Sequence, residues 1–140
     1  MISFDFIFKR GTWYALSHDF IYAVYFQRSM YSDLYYLNLA VGFNPEHWVS
    51  FPTDYKVPAY YTFGAHARVK DNAELFTVSN LTQEKETQIR SLLRESLILF
   101  SPFSTEAAFK EDYINNRNPE DKYLFKGFWL YDSFLKQLQL

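Results

Sequence analysis

The chain of 140 residues contains no cysteine and only 4 glycines. Without thiols, the protein forms no disulfide, uses no cysteine nucleophile and builds no cysteine-ligated metal site. A glycine-rich phosphate loop is excluded as well, because the few glycines are spread along the chain. Any chemistry of this protein therefore has to come from other side chains.

Long apolar runs and an excess of positive charge are also missing. No stretch approaches the roughly 20 apolar residues of a membrane-spanning helix. The N-terminal stretch has Asp5 inside its short apolar run and Lys9 and Arg10 after it, the reverse of a secretory signal. The net charge of −2 gives no general attraction to phosphate backbones or anionic lipids. We therefore expect a soluble cytoplasmic protein with no membrane contact and no nucleic-acid partner.

Aromatic side chains, in contrast, are abundant. They make up 21% of the residues, including 12 tyrosines and 15 phenylalanines. A buried tyrosine needs a hydrogen-bond partner for its hydroxyl, so a surplus of tyrosine favours strand faces and contact surfaces. The length fits a single domain over residues 1–140.

Residues 20–43 form the centre of the predicted fold, as two strands joined by a polar turn. Pairing Arg28 with Leu34 across that turn would place two sets of side chains on opposite faces. The first set is Ile21, Ala23, Tyr25, Leu37, Leu39 and Val41. The second set is Tyr22, Phe26, Arg28, Tyr36 and Asn38. A shift of one residue would exchange the faces on one arm.

Further strands are predicted on both sides of this hairpin. Alternating side chains indicate strands over residues 4–8, 12–17 and 59–69, and a short extended piece over 75–78. Residues 44–57 contain prolines and scattered polar residues, which indicate a long loop.

The C-terminal half changes to helical spacing. A first helix is predicted from Thr82 to a stop at Pro102, a second from Ser104 or Thr105 to the polar run that follows residue 114, and a third from about Lys126 onward. Strands followed by helices predict an α+β protein, in which an antiparallel sheet of about five strands carries the C-terminal helices on one face.

Three segments resemble a known family. They are FKRGTWY at 8–14, VYFQRS at 24–29 and YYLNLAV at 35–41. They are similar to the bacterial family called domain of unknown function 4304, in which an N-F-Q-like strand end precedes a strand with an N-L-G-V-like run. The residues that match these motifs are Phe26, Gln27, Asn38 and Leu39. Tyr25 and Ala40 stand where the family usually has asparagine and glycine.

This resemblance covers about two-thirds of the chain, since residues 89–99 followed by SPF are also similar to the later half of the family. The family has no established reaction, and some of its relatives occur in bacterial toxin and immunity settings. The resemblance therefore implies a bacterial, immunity-like recognition protein.

Motif spacing gives no catalytic residue, no metal site and no cofactor. The histidines His18, His47 and His66 show no ligand spacing, no serine has a G-x-S-x-G context, and the carboxylates cluster on the presumed solvent sides of helices. We therefore expect a role in binding rather than in catalysis.

The predicted binding surface is the sheet face that the helices leave uncovered. Its displayed side chains would be Trp13, Tyr22, Phe26, Arg28, Tyr36, Asn38, Tyr60, Thr62, His66 and Arg68. Six of them are the candidate binding residues: Arg28, Tyr36, Asn38, Tyr60, His66 and Arg68. Tyrosine, arginine and amide side chains are typical of protein contact centres and of ligand pockets. Aromatic cross-strand pairs and local ion pairs would explain the same pattern without a ligand.

The sequence leaves two functions open. The first is a module that recognises an immunity or regulatory protein partner through this face or through the loop 44–57. The second is a small-molecule-binding protein or enzyme, in which the same face forms a pocket where Asn38, His66 and Arg68 converge. On the chosen register Gln27 falls on the buried side, where we expect its amide to bond to backbone groups.

Overall fold

The protein is described by a computed structural model, which covers residues 4–28, 30–31, 35–51, 58–69 and 83–140. These residues form an α+β fold with one antiparallel sheet and three α-helices. The predicted piece at 75–78 lies outside the described residues. No described helix has the length and apolar character to cross a bilayer.

The described sheet has seven strands, where we predicted about five. They are β1 Ile7–Lys9, β2 Thr12–Leu16, β3 Phe20–Arg28, β4 Tyr35–Phe43, β5 Ala65–Arg68, β6 Leu124–Phe125 and β7 Phe128–Leu130. Their order across the sheet is β1-β2-β3-β4-β5-β7-β6, and each neighbouring pair is antiparallel.

The two additional strands lie on either side of Lys126, where the third helix was predicted to begin. Lys126 and Gly127 both have positive φ, at 49° and 86°, and they connect β6 directly to β7. A two-residue turn of this kind matches the twist of a hairpin and cannot continue a helix. The helix itself, α3, is confined to Asp132–Gln137.

The other helices are α1 Gln83–Ser96 and α2 Glu106–Asn116. The predicted cap residue Thr82 of α1 lies outside the described residues. The cap of α2 is Thr105, whose hydroxyl accepts the Ala108 N–H at 3.0 Å. A 3₁₀ segment, Leu97–Phe103, follows α1 and includes Pro102. The α-helix therefore ends at Ser96, before the stop predicted at Pro102, and the proline, which has no N–H for an α-helical hydrogen bond, lies within the 3₁₀ segment.

The predicted strand over residues 59–69 is also shorter than expected. Tyr60–Thr62 forms a 3₁₀ turn, and only Ala65–Arg68 pairs in the sheet. The Thr62 hydroxyl donates to the Ala59 carbonyl at 2.7 Å and helps to close the turn.

The register of the central hairpin differs by one residue from the predicted one. Arg28 pairs with Tyr35, and Tyr22 pairs with Val41. Residues 20–25 are all buried, so β3 lacks the alternation that would fix its register from sequence. Tyr22, Phe26 and Arg28 therefore share the face of Leu37, Leu39 and Val41.

That face, called the helix-side face below, carries the main core. Tyr22, Val24, Leu39 and Val41 pack there in one cluster with buried residues of all three helices and of the 3₁₀ segment. The helix residues in this cluster include Leu92, Phe100, Phe103, Phe109, Tyr113, Phe134 and Leu135. The C-terminal helices thus cover one face of the sheet, as predicted.

The opposite face, called the loop-side face, has a smaller core. Tyr14, Ile21, Ala23, Tyr25 and Ala40 are buried there with Phe63, and Trp48, Phe51 and Tyr60 pack against them. The loop after β4 and the 3₁₀ turn therefore cover part of this face.

Candidate functional site

The observed register brings four of the six candidate residues to the loop-side face. Asn38 lies directly opposite Arg68 in the pairing of β4 with β5, and Ala40 lies opposite His66. Tyr36 precedes Asn38 by two positions and therefore shares its face. Gln27 joins them from β3, since it pairs with Tyr36. We call the group of Gln27, Tyr36, Asn38 and Arg68 the Arg68 surface.

Side-chain hydrogen bonds connect three members of the Arg68 surface. Arg68 Nη2 donates to Gln27 Oε1 at 2.8 Å, and Arg68 Nε donates to Asn38 Oδ1 at 3.2 Å. Asn38 Nδ2 donates to the same Gln27 oxygen at 2.8 Å. The amide of Gln27 thus bonds to side chains at the exposed end of β3, so the predicted backbone bonds of a buried Gln27 are wrong.

The aromatic ring of Tyr36 completes the support of the guanidinium. The Arg68 Cζ lies 4.2 Å from the centre of that ring. An arginine stacked on an aromatic ring gains a cation–π contact and has its flat guanidinium oriented. Two amides and one ring therefore hold the Arg68 side chain in place.

The charge of Arg68 is not neutralised by these contacts. Gln27 and Asn38 are neutral amides, and none of the ion pairs found within the described residues includes Arg68. Two of the five N–H donors of this arginine are used by the amides. The remaining donors suit an incoming carboxylate or phosphate, which arginine binds in a bidentate manner.

Tyr25 and Tyr60 border the Arg68 surface. Their rings stack at 3.7 Å, which places Tyr60, a candidate residue, over the loop-side face. Burial raises the pKa of the Tyr25 phenol and the nearby Tyr60 adds to this, whereas the Asn38 hydrogen bond and the Arg68 charge oppose it.

His66 lies on the loop-side face but has its own partners. Its Nε2 lies 2.6 Å from the Phe63 carbonyl, and because a carbonyl only accepts, Nε2 carries the proton. The ring also meets Tyr131 edge to face at 5.6 Å. Burial lowers the pKa of His66, and the Phe63 hydrogen bond acts in the opposite direction. A neutral imidazole therefore lies beside the charged Arg68 surface.

Arg28 is separated from the other candidates. In the observed pairing it belongs to the helix-side face, as do Trp13, Tyr22 and Phe26. Tyr22 is fully buried, and its hydroxyl meets the Phe103 carbonyl and, at 3.0 Å, the Ser17 hydroxyl. These four residues were predicted on the uncovered face, and the one-residue difference in register corrects all of them.

Among the cavities lined by described residues, three lie elsewhere. Two of about 190 Å³ lie between β2 and the turn at Tyr60, and between Trp13 and the end of α1. The third, of about 580 Å³, lies beside the loop after β4 and is lined by Ile21, Phe43, Pro45, Glu46, Trp48, Pro58 and Gln137. None of the three is lined by the Arg68 surface.

A second polar group, which the sequence analysis missed, consists of His18, Asp19 and His47. One ligand atom from each of them lies within 4.8 Å of the others. His18 and Asp19 are in the turn between β2 and β3, and His47 is in the loop after β4. Ligands from separate loops have no fixed spacing along the chain, so a spacing search cannot find such a group.

No family model, no curated protein and no solved structure matches this chain. The resemblance to the domain of unknown function 4304 therefore stays a prediction.

Proposed function

We propose that the protein is a non-catalytic recognition module, which binds an acidic segment of a partner protein through the Arg68 surface. The observation that carries this proposal is the Arg68 guanidinium, held by Tyr36 and two amides and paired with no carboxylate within the described residues. A partner carboxylate would supply a counter-charge that the ion pairs of the described residues do not give to Arg68.

The composition of the surroundings supports a protein contact. Trp129 pairs with His66 and therefore lies on the same face, where it is 47% exposed. Tyr131 is 48% exposed and contacts His66. Arginine, tyrosine and tryptophan are the residues that most often dominate the binding energy of protein interfaces.

The fixed position of Arg68 also favours binding. A free arginine side chain loses rotamer freedom when it is bound, at a cost of about 0.5–1.5 kcal/mol. Arg68 is already ordered by Gln27, Asn38 and Tyr36, so less of this cost remains for the complex.

The kind of partner follows from the resemblance stated above. We propose an immunity-like or regulatory protein of the same cell, since that is the setting the resemblance implies. The absence of catalysis is part of the same proposal.

The test is a pull-down from a lysate of the source cells with three matched forms of the protein. The unaltered chain and Arg117→Ala should retain the same partner in stoichiometric amount. Arg117 is a suitable control because it lies at the C-terminal end of α2. Arg68→Ala should lose that partner.

The dissociation constant of each form with the isolated partner then measures how much the substitution weakens binding. We expect Arg68→Ala to weaken binding about 30-fold or more, corresponding to the 2 kcal/mol of an interface hot spot. Tyr36→Ala should act in the same direction. Equal retention by the Arg68→Ala and Arg117→Ala forms, or no partner for any form, would contradict the proposal.

A further inference from the structure

A group of three metal-ligating side chains lies at the opposite end of β3 from the Arg68 surface. Asp19 Oδ1 is 3.9 Å from His18 Nε2 and 3.9 Å from His47 Nδ1. Two imidazoles and one carboxylate form a ligand set that zinc enzymes and non-haem iron proteins use.

Hydrogen bonds of Asn44 hold the two chain segments of this group together. Asn44 is 1% exposed, and its Nδ2 donates to the Ser17 carbonyl at 2.8 Å and to the Trp48 carbonyl at 3.1 Å. The Asn44 N–H donates to the Asp19 carbonyl at 2.8 Å. His47 is thus placed beside the turn by the hydrogen bonds of the buried Asn44.

Two of the three ligands are also oriented by outer contacts. Asp19 Oδ2 accepts the Glu106 N–H at 2.8 Å, which leaves Oδ1 directed toward the histidines. His47 Nδ1 lies 2.7 Å from the His18 carbonyl, so Nδ1 carries the proton and Nε2 keeps its lone pair. Metal-binding histidines commonly donate their other N–H to a backbone carbonyl in this way.

From this geometry we infer that His18, Asp19 and His47 bind a divalent transition-metal ion, for which zinc is the best match. His18 would bind through Nε2, Asp19 through Oδ1 and His47 through Nε2. Water would occupy the remaining coordination positions. The ion would fasten the loop after β4 to the turn between β2 and β3.

Binding requires both histidine side chains to move, since the His47 atom that lies 3.9 Å from Asp19 Oδ1 is the protonated Nδ1 and not the ligating Nε2. The two imidazole rings stack with centres 4.0 Å apart and planes 10° apart, and parallel rings cannot both point at one ion. Tetrahedral zinc places its ligands about 3.4 Å apart, so the distance from Asp19 to His18 has to shorten by about 0.5 Å. The His18 and His47 side chains are 73% and 51% exposed and can rotate to meet these requirements.

The experiment is a calorimetric titration of the metal-free protein with zinc chloride at neutral pH, together with melting temperatures. The unaltered chain should bind one zinc ion, and its melting temperature should rise with zinc. His18→Asn and His47→Asn should each weaken binding at least about tenfold, because even outer-shell changes cost about 10–100-fold.

His66→Asn is the matched control, since His66 is the third histidine of the chain and lies outside this group. It should bind zinc as the unaltered chain does. Circular dichroism without zinc verifies that each variant is folded, and the exposed positions of His18 and His47 favour this. No saturable binding by the unaltered chain would overturn the inference. Binding that survives both His18→Asn and His47→Asn, or that is lost equally in His66→Asn, would do the same.

Discussion

Tyr22 shows how one hydroxyl can connect distant parts of this chain. Its side chain is fully buried on the helix-side face, and its hydroxyl meets both the Phe103 carbonyl and the Ser17 hydroxyl. The 3₁₀ segment after α1 and the turn after β2 are therefore joined through a single residue of β3.

We expect Tyr22→Phe to lower the free energy of unfolding by about 1–3 kcal/mol, because it leaves a buried carbonyl without its donor. Urea denaturation at neutral pH measures the change. Tyr61→Phe is the control, since Tyr61 is 73% exposed, and its effect should stay within about 0.5 kcal/mol. Equal stability of the Tyr22→Phe and Tyr61→Phe proteins would show that the hydroxyl of Tyr22 contributes nothing.

At the scale of elements, the central hairpin was predictable because both of its arms are long and rich in β-branched and aromatic residues. Its register was not predictable, because the six successive buried residues at the start of β3 can pack on either face of the sheet. The prediction for Tyr36, Asn38, His66 and Arg68 used strands whose alternation is clear. The prediction for Arg28 depended on the ambiguous strand.

The C-terminal elements show a second limit. Leu130 and Phe134 fall at helical spacing, and this spacing suggested one helix from Lys126. A short strand followed by a short helix produces the same spacing. The decisive signal was Lys126-Gly127, a turn that pairs Leu124–Phe125 with Phe128–Leu130.

The loop after β4 depends on Asn44, and this gives a prediction at the same scale. Asn44→Ala should lower the free energy of unfolding by about 2–3 kcal/mol, because the Ser17 and Trp48 backbone groups lose their partner. Asn116→Ala is the control, since among the described residues its exposed amide bonds to Asp112 of the same helix. Chemical denaturation of both variants measures the difference. If Asn44→Ala and Asn116→Ala unfold alike, Asn44 does not hold the loop.

At the scale of the whole molecule, the sequence predicted that helices cover one face of the sheet. It did not predict which side chains come together on each face. The presence of the C-terminal helices and the helix-side position of Leu37, Leu39 and Val41 followed from periodicity along the sequence, whereas the faces of the β3 side chains did not. The Arg68 hydrogen bonds and the group of His18, Asp19 and His47 join residues that are far apart in the chain, so they depend on strand order and on loop placement. Neither property is encoded in local spacing.

Buried tyrosines should make the protein sensitive to alkali. Burial raises the pKa of Tyr22 from 10.0 to about 12, and it also raises the pKa values of Tyr14 and Tyr25. In the unfolded chain Tyr22 loses its proton near pH 10, whereas in the folded chain it keeps the proton until about pH 12. Stabilisation by the neutral phenol is therefore complete below pH 10 and is lost as the pH rises toward 12.

For Tyr22 alone the loss should reach roughly 3 kcal/mol, from the shift of its pKa. Urea denaturation at a series of alkaline pH values measures it. In Tyr22→Phe the free energy of unfolding should fall less steeply over the same pH range. An identical slope in both proteins would show that Tyr22 ionises at its ordinary pKa in the folded state.

The outermost strands of the described sheet are very short, since β1 has three residues and β6 has two. Edge strands of this length expose few free backbone N–H and C=O groups, and such groups are what a foreign strand needs in order to extend a sheet. Lengthening by strand addition, whether by a ligand peptide or in aggregation, is therefore disfavoured at both ends. Recognition by this protein should depend on side chains that stand out from the sheet rather than on its backbone.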